Sequence, residues 1–251
     1  MTQDHRYRKC CGHDNNLFSI MKQVVTAAVD SSASSFSDEL RLAAGSQWER
    51  IISHRFTTEI ASGSIDRNVL KRYLIQDHRF LDAFVVLLAS MVASARCLED
   101  RIEGCQFLAV LTGKENTYFE RSFAHLGVKK NDRLQIGNAD VTNRFLDLMR
   151  TVANGGTLGE KLAVLCVCEW TYLSWGQRVQ ATTNRDNFSC YEWVDLHCGE
   201  YFASVVAYLR NLLDNEGAHH LDDAGRSACR QRFLEAIQLE EDFFDYAYES
   251  G

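Results

Sequence analysis

Apolar residues recur at helical spacing along almost the whole chain. They fall at i, i+3, i+4 and i+7 over residues 17–29, 38–61, 65–95, 98–111, 114–126, 139–153, 158–182, 190–214 and 223–249, which is the period of amphipathic helices. No stretch alternates apolar and polar residues as a half-buried strand does. The pattern predicts an all-α protein built as a compact multi-helix bundle, and the absence of a repeat of 20–50 residues sets a solenoid aside. Ser46-x-x-Glu49 and Thr157-x-x-Glu160 read as capping boxes, and Ser64 as the cap of the helix that follows it. Gly113, Gly127, "NGG" at 154–156 and "DNEGAHH" at 214–220 read as breaks. Residues 162–167 are apolar on every side, so the helix over 158–182 is predicted to be buried all round.

Three apolar stripes carry an acid. Asp77 shares a helix face with Tyr73, Phe80 and Phe84. Glu240 lies inside the stripe of Phe233, Ala236, Ile237, Phe243 and Phe244. Glu169 is the only charged residue between Lys161 and Arg178; Cys168 stands beside it and shares a face with Tyr172 and Trp175. One such acid is ordinarily explained by a buried ion pair or by a helix rotated toward water. Three on different helices, with no inward Lys or Arg on the same stripes, point instead to a shared polar pocket whose acids have shifted pKa values.

Aromatic rings around several carboxylates suit a flat, nitrogen-rich or cationic ligand, because the rings stack on it and the acids accept its N–H groups. An anion would be poorly served. The rival built from similar residues is a di-iron carboxylate centre, which uses Glu-x-x-His pairs. The only such spacing here is Glu216 to His219, and it falls in a predicted polar loop. "GGTLGEK" at 155–161 lacks the Lys-Ser/Thr ending and preceding strand of a phosphate loop, and G-x-S-x-G is absent. No metal ligand and no cofactor is therefore assigned.

Composition narrows the partners. The 251 residues are 46% apolar and 24% charged, an ordinary globular balance, and no Pro-rich or long Gly-rich linker divides them. The Ser-rich "DSSASSFSD" at 30–38 suggests an N-terminal extension, 1–37, partly disordered or holding one short helix, before a helical domain over 38–251. The complete lack of proline fits long uninterrupted helices. A net charge of -7 without any long basic run argues against nucleic acid and against a polybasic membrane patch. The longest uncharged run, Ala83 to Ala95, has 13 residues, short of the ~20 a membrane span needs. The opening "MTQDHRYRKCCGHD" lacks the apolar core of a secretory signal, so the nine cysteines are expected to be reduced thiols in the cytoplasm. His5, Cys10, Cys11 and His13 lack the usual zinc spacing and read as part of a tail.

Taken together, the motifs carry a resemblance. "FTTEIASGSI" and "YLIQDHRFL" are followed by "GKENTYFERSFAHLGV", "LAVLCVCEWTY", "YEWVDLHCGEYF" and "LEEDFFDYAY". In this order, from about Trp48 to Tyr248, they resemble the TenA/thiaminase-II family, whose fold is the all-helical heme-oxygenase-like one. The resemblance implies that Asp77 holds an aminopyrimidine ring, that Glu240 assists proton transfer and that Phe243 packs on the pyrimidine. Counting back from Gly176, the family's nucleophilic Cys lines up with Cys168, while the Glu used by another branch lines up with Glu169; Tyr172 would join the ring site. Family tyrosines near the ring stand here as Phe80 and Phe145, and a further aromatic position is His197, a candidate replacement donor. The implied activity is hydrolysis of aminopyrimidine products of thiamin breakdown to hydroxymethylpyrimidine, without a cofactor, in a dimer or tetramer. A pyrimidine-binding relative without catalysis, or a di-metal oxidase on the same fold, are the alternatives.

Overall fold

The computed structural model describes residues 34–249. The expected helix at 17–29, the tail with His5, Cys10, Cys11 and His13, and nearly all of the extension lie outside them. Helices α1 (Phe36–Ala44), α2 (Ser46–Ile52), α3 (Arg55–Ser62), α4 (Arg67–Ser94) and α5 (Leu98–Val110) come first. A π turn, Leu111–Glu115, joins α5 to α6 (Asn116–Leu126). Then follow α7 (Lys130–Gln135), α8 (Asp140–Gly155), α9 (Leu158–Val179), α10 (Phe188–Leu196), α11 (Gly199–His219) and α12 (Asp223–Ala247). Among the described residues there is no strand.

The centre of the bundle is α9, which packs against α2, α3, α4, α8, α11 and α12. Leu162 to Val167 are all but fully enclosed, as their all-round apolarity predicts. Each such aliphatic side chain contributes ~1.5–3 kcal/mol by leaving water. The start of α9 is fixed by the predicted capping box: the Thr157 hydroxyl accepts the Glu160 N–H, and Glu160 accepts the Thr157 N–H at 2.9 Å.

Several boundaries differ from the sequence expectation. The single helix expected over 38–61 is three helices, bent at Gly45, whose φ of 55° favours glycine, and again at Ser53 and His54. The first of them starts at Phe36 with Ser35 as its cap, two residues before the expected domain boundary. Ser46 and Glu49 form no capping box, because Gly45 occupies the cap position and the Ser46 hydroxyl accepts instead from Arg50 at 3.1 Å. Asp66, not Ser64, caps α4 by accepting the N–H groups of Asn68 and Val69. Gly113 does not break the chain, since the π turn carries the helical path through it.

The stretch expected as one helix over 190–214 is divided at His197 and Cys198 into α10 and α11. The expected loop "DNEGAHH" is helical as far as His219. Two contacts hold it so. The Glu216 carboxylate accepts from Arg96 Nε at 2.5 Å and Nη2 at 2.9 Å, and Gly217 leaves the space that the Phe36 ring fills.

Candidate active site

Helical phase turns each striped acid inward, and the packing of α4 and α12 on α9 makes the stripes meet. Asp77 from α4, Cys168 and Glu169 from α9 and Glu240 from α12 line one chamber with a free volume of about 30 Å³. Phe80 and Phe84 from α4, Tyr172 from α9, Trp193 from α10 and His197 just after α10 complete much of its wall. Asp77, Glu169 and Glu240 are 7%, 8% and 2% exposed. The enclosed ion-pair explanation fails for them: among the described residues, no Lys, Arg or His makes a salt bridge to any of the three.

A fourth acid was missed by the sequence reasoning. Glu115, the last residue of the π turn, also lines the chamber. A signal for it existed, since Glu115 stands four after Leu111 and three and four before Tyr118 and Phe119, all three of which are buried. The apparent break at Gly113 hid that continuity. Trp193 was likewise unassigned, and its indole N–H has no protein acceptor.

Electrostatics follow from crowding four acids in a dry space. Burial raises the Glu240 carboxyl well above the usual range and the charge of Asp77 adds to this, while a hydrogen bond from the Cys168 thiol opposes it. Asp77 is raised by burial and then by Glu115, with a hydrogen bond from Tyr73 pulling the other way. Glu169 is raised by burial and then by Glu115, Glu240 and Asp77. Glu115 is pushed up to about 8 by burial. The Cys168 thiol is raised well above its ordinary value, by burial first and then by Glu240 and Glu169, so it rests as a thiol.

The two ring-bearing neighbours of α9 are tied in place. The Tyr73 and Tyr172 hydroxyls are 2.6 Å apart. His197 Nδ1 lies 2.7 Å from the Trp193 carbonyl oxygen, which only accepts, so Nδ1–H donates and Nε2 keeps its lone pair. Burial lowers His197 to about 4. The replacement donor expected at His197 is thus a neutral imidazole that offers an acceptor. Phe145 and Phe243 stand one layer behind the wall: the Phe145 ring meets Phe80 edge-on at 4.9 Å, and Phe243 lies 5.7 Å from Tyr73 and 6.4 Å from Phe80. They brace the rings that line the chamber.

Fold and chamber together define an all-helical bundle with a buried chamber lined by acids and aromatic rings. The chain belongs to the TENA/THI-4/PQQC family, whose model matches residues 43–250. It is 25% identical over 202 residues to an aminopyrimidine aminohydrolase of Halalkalibacterium halodurans, covering 80% of this chain and 90% of that one. A Bacillus subtilis protein of the same name is 24% identical over 214 residues, 85% of this chain and 89% of its own. Among solved structures, a TenA homologue from Pyrococcus furiosus superposes with a TM-score of 0.76 at 22% identity, over 85% of this chain and all of its own (100%). A TenA homologue from P. horikoshii gives 0.75 at 22% identity, over 87% and 100%. These two establish the fold, and they are helical throughout the shared bundle.

Proposed function

We propose that this protein is a hydrolase of thiamin salvage, which releases the amine from an aminomethylpyrimidine and leaves hydroxymethylpyrimidine. The observation that carries this is the meeting of three unpaired buried carboxylates and a thiol in a chamber walled by aromatic rings. The curated relatives of the same family, named aminopyrimidine aminohydrolases, support it. Asp77 accepts N–H groups of the pyrimidine, whose flat ring is held between the aromatic walls. Glu240 arrives protonated because burial and Asp77 raise it, and donates that proton to the departing amine. Glu169, in its ionised form a stronger base because its pKa is raised, takes a proton from the water whose oxygen bonds to the methylene, so the products are the alcohol and the free amine. No cofactor is required for this chemistry.

A second route is favoured by the Cys168 thiol lining the chamber with Glu240, where it opposes the rise of that carboxyl. There the thiol proton passes to Glu240 as sulfur adds to the ring carbon; the amine leaves with that proton, water replaces it, and the sulfur is expelled. Both routes need Asp77 and Glu240. The di-metal alternative loses its only Glu-x-x-His pair as ligands for the chamber, because Glu216 is engaged by Arg96.

No described helix is long and apolar enough to cross a membrane, and a cytoplasmic protein with free thiols fits the described cysteines, which form no disulfide. Val86, Leu98 and Ile102, exposed on the neighbouring helices α4 and α5, support assembly into a dimer or tetramer. The deciding assay follows release of ammonia from 4-amino-5-aminomethyl-2-methylpyrimidine, with binding of the same compound measured by calorimetry. Turnover is expected in the native protein, with binding lost in Asp77→Asn. Binding without turnover would leave a pyrimidine-binding relative, and neither would overturn the proposal.

A further inference from the structure

Asn68, Lys71, Arg72 and Ile75 follow one another at i, i+3, i+4 and i+7 and so share one face of α4, which by helical phase lies opposite Asp77, Phe80 and Phe84. With Ile136, just after α7, and Tyr246 of α12 they line a second cavity of about 290 Å³, none of whose lining residues lines the chamber. Lys71 and Arg72 bring two positive charges to it, and no acid is in its wall. The acids close by in the chain are engaged elsewhere: Asp66 caps α4, Asp132 caps α7, Asp242 pairs with Arg144 at 3.1 Å and Asp245 lies 3.1 Å from His54 Nε2. Among the described residues, the Lys71 ammonium, the Asn68 amide and the Tyr246 hydroxyl have no hydrogen-bond partner, and Arg72 uses only Nε, which donates to the Ala247 carbonyl at 3.1 Å. That bond steadies the guanidinium and leaves both Nη groups to donate. The rim is held as well, since Arg79 donates to the carbonyls of Arg133, Ile136 and Gly137, and the Gln76 amide to that of Gly137 at 3.1 Å.

Two cations and two neutral donors without partners, set in a concave wall, select an anion. A phosphomonoester matches them better than a carboxylate does, because it carries about -1.5 to -2 charge at neutral pH and has three terminal oxygens to accept from the Arg72 fork, Lys71 and the Tyr246 hydroxyl. The space is also far larger than the ~10–15 Å³ a single water needs, and Ile75, Ile136 and the Tyr246 ring give it an apolar side. We propose that this cavity binds the phosphomonoester of a small apolar or aromatic alcohol, with Lys71 and Arg72 on the phosphate and Tyr246 and the two isoleucines against the organic group. The chamber across α4, with four acids in its wall, repels such a ligand. The protein thus has two sites of opposite charge preference.

Phenyl phosphate is the probe, with inorganic phosphate and benzoate beside it, titrated calorimetrically into the native protein, Lys71→Gln, Arg72→Gln and the chamber variant Glu240→Gln. The native protein is expected to bind phenyl phosphate at least ~5-fold more tightly than inorganic phosphate, which lacks the ring, and than benzoate, which lacks the second charge. Lys71→Gln and Arg72→Gln should each weaken phenyl phosphate at least ~10-fold, the scale of a lost charge-assisted hydrogen bond. Glu240→Gln should stay within ~2-fold of native. Lys71 has no ion pair or hydrogen bond to break, so its variant reports on the site even where Arg72→Gln, which releases the Ala247 carbonyl, fails to fold. No binding of phenyl phosphate, a native affinity in Lys71→Gln, or an equal loss in Glu240→Gln would overturn the site. Inorganic phosphate or benzoate bound as tightly as phenyl phosphate would overturn the phosphomonoester as its ligand.

Discussion

Glu216 and Glu240 are both buried glutamates, 3% and 2% exposed, and they differ in what surrounds them. Glu216 is clasped by Arg96 through two hydrogen bonds and so serves the packing of α11. Glu240 has no ion-pair partner and is raised further by the charge of Asp77, an arrangement that costs stability and for which the proton transfer proposed above accounts. Glu240→Gln is accordingly expected to lower kcat at least ~100-fold with the fold intact, the usual scale of a positioned acid. Glu169→Gln should lose a similar factor, whereas Cys168→Ala should lose less than ~10-fold, because burial and two carboxylates keep the sulfur protonated. All three variants belong in one hydrolysis assay with circular dichroism for each. A Cys168→Ala protein as inactive as Glu240→Gln would move the chemistry to the thiol route.

Between elements, the site depends on how closely α9 approaches the end of α10. A Cβ at Gly176 would overlap the carbonyl oxygen of His197 and crowd its carbonyl carbon. The helix junction can settle there only because glycine leaves that space, and the His197 ring is thereby brought to the chamber and to 4.8 Å from Tyr172. Gly176→Ala is expected to destabilise the protein by ~1–3 kcal/mol through overpacking. It should also raise KM for the aminomethylpyrimidine more than it lowers kcat, because a wall moves while Glu240 stays. Denaturant melts and steady-state kinetics read the two effects separately. The π turn matters in the same way: it joins α5 to α6 without a break and ends on Glu115 at the chamber wall. The apolar period on either side of that turn was legible, but the turn itself was not, because Gly113 reads as a stop and the extra residue in a π turn leaves no mark in a helical pattern.

The whole molecule should register its crowded acids in the pH dependence of folding. A carboxyl whose folded pKa is raised binds a proton that the unfolded chain has already released, so the stability it contributes is complete below the ordinary acid range of ~4 and is lost as pH rises through the folded value. For Glu115 that loss runs from about 4.5 to about 8. His197 acts oppositely: its folded value, lowered to about 4, contributes stability above its ordinary value of about 6.5 that is lost as pH falls toward 4. Between pH 6.5 and 8 the acids alone act, and urea midpoints should fall. Glu115→Gln should flatten that slope by up to ~1.4 kcal/mol per pH unit, and an unchanged slope would show that Glu115 is not the group titrating. At this scale the division between sequence and structure is also clearest. The amino-acid sequence by itself determined the helices, the buried centre of α9, three of the acids and the family likeness, because the face a helix buries is written in its own 3.6-residue period. Only the tertiary structure decided that those acids meet, that Glu115 joins them, that Glu216 does not because Arg96, 120 positions away in the chain, reaches it, and that a second cavity, clear of those acids, holds Lys71 and Arg72. Those facts depend on which buried faces oppose one another, which is fixed by packing between segments distant in the chain and is absent from the period of any one helix.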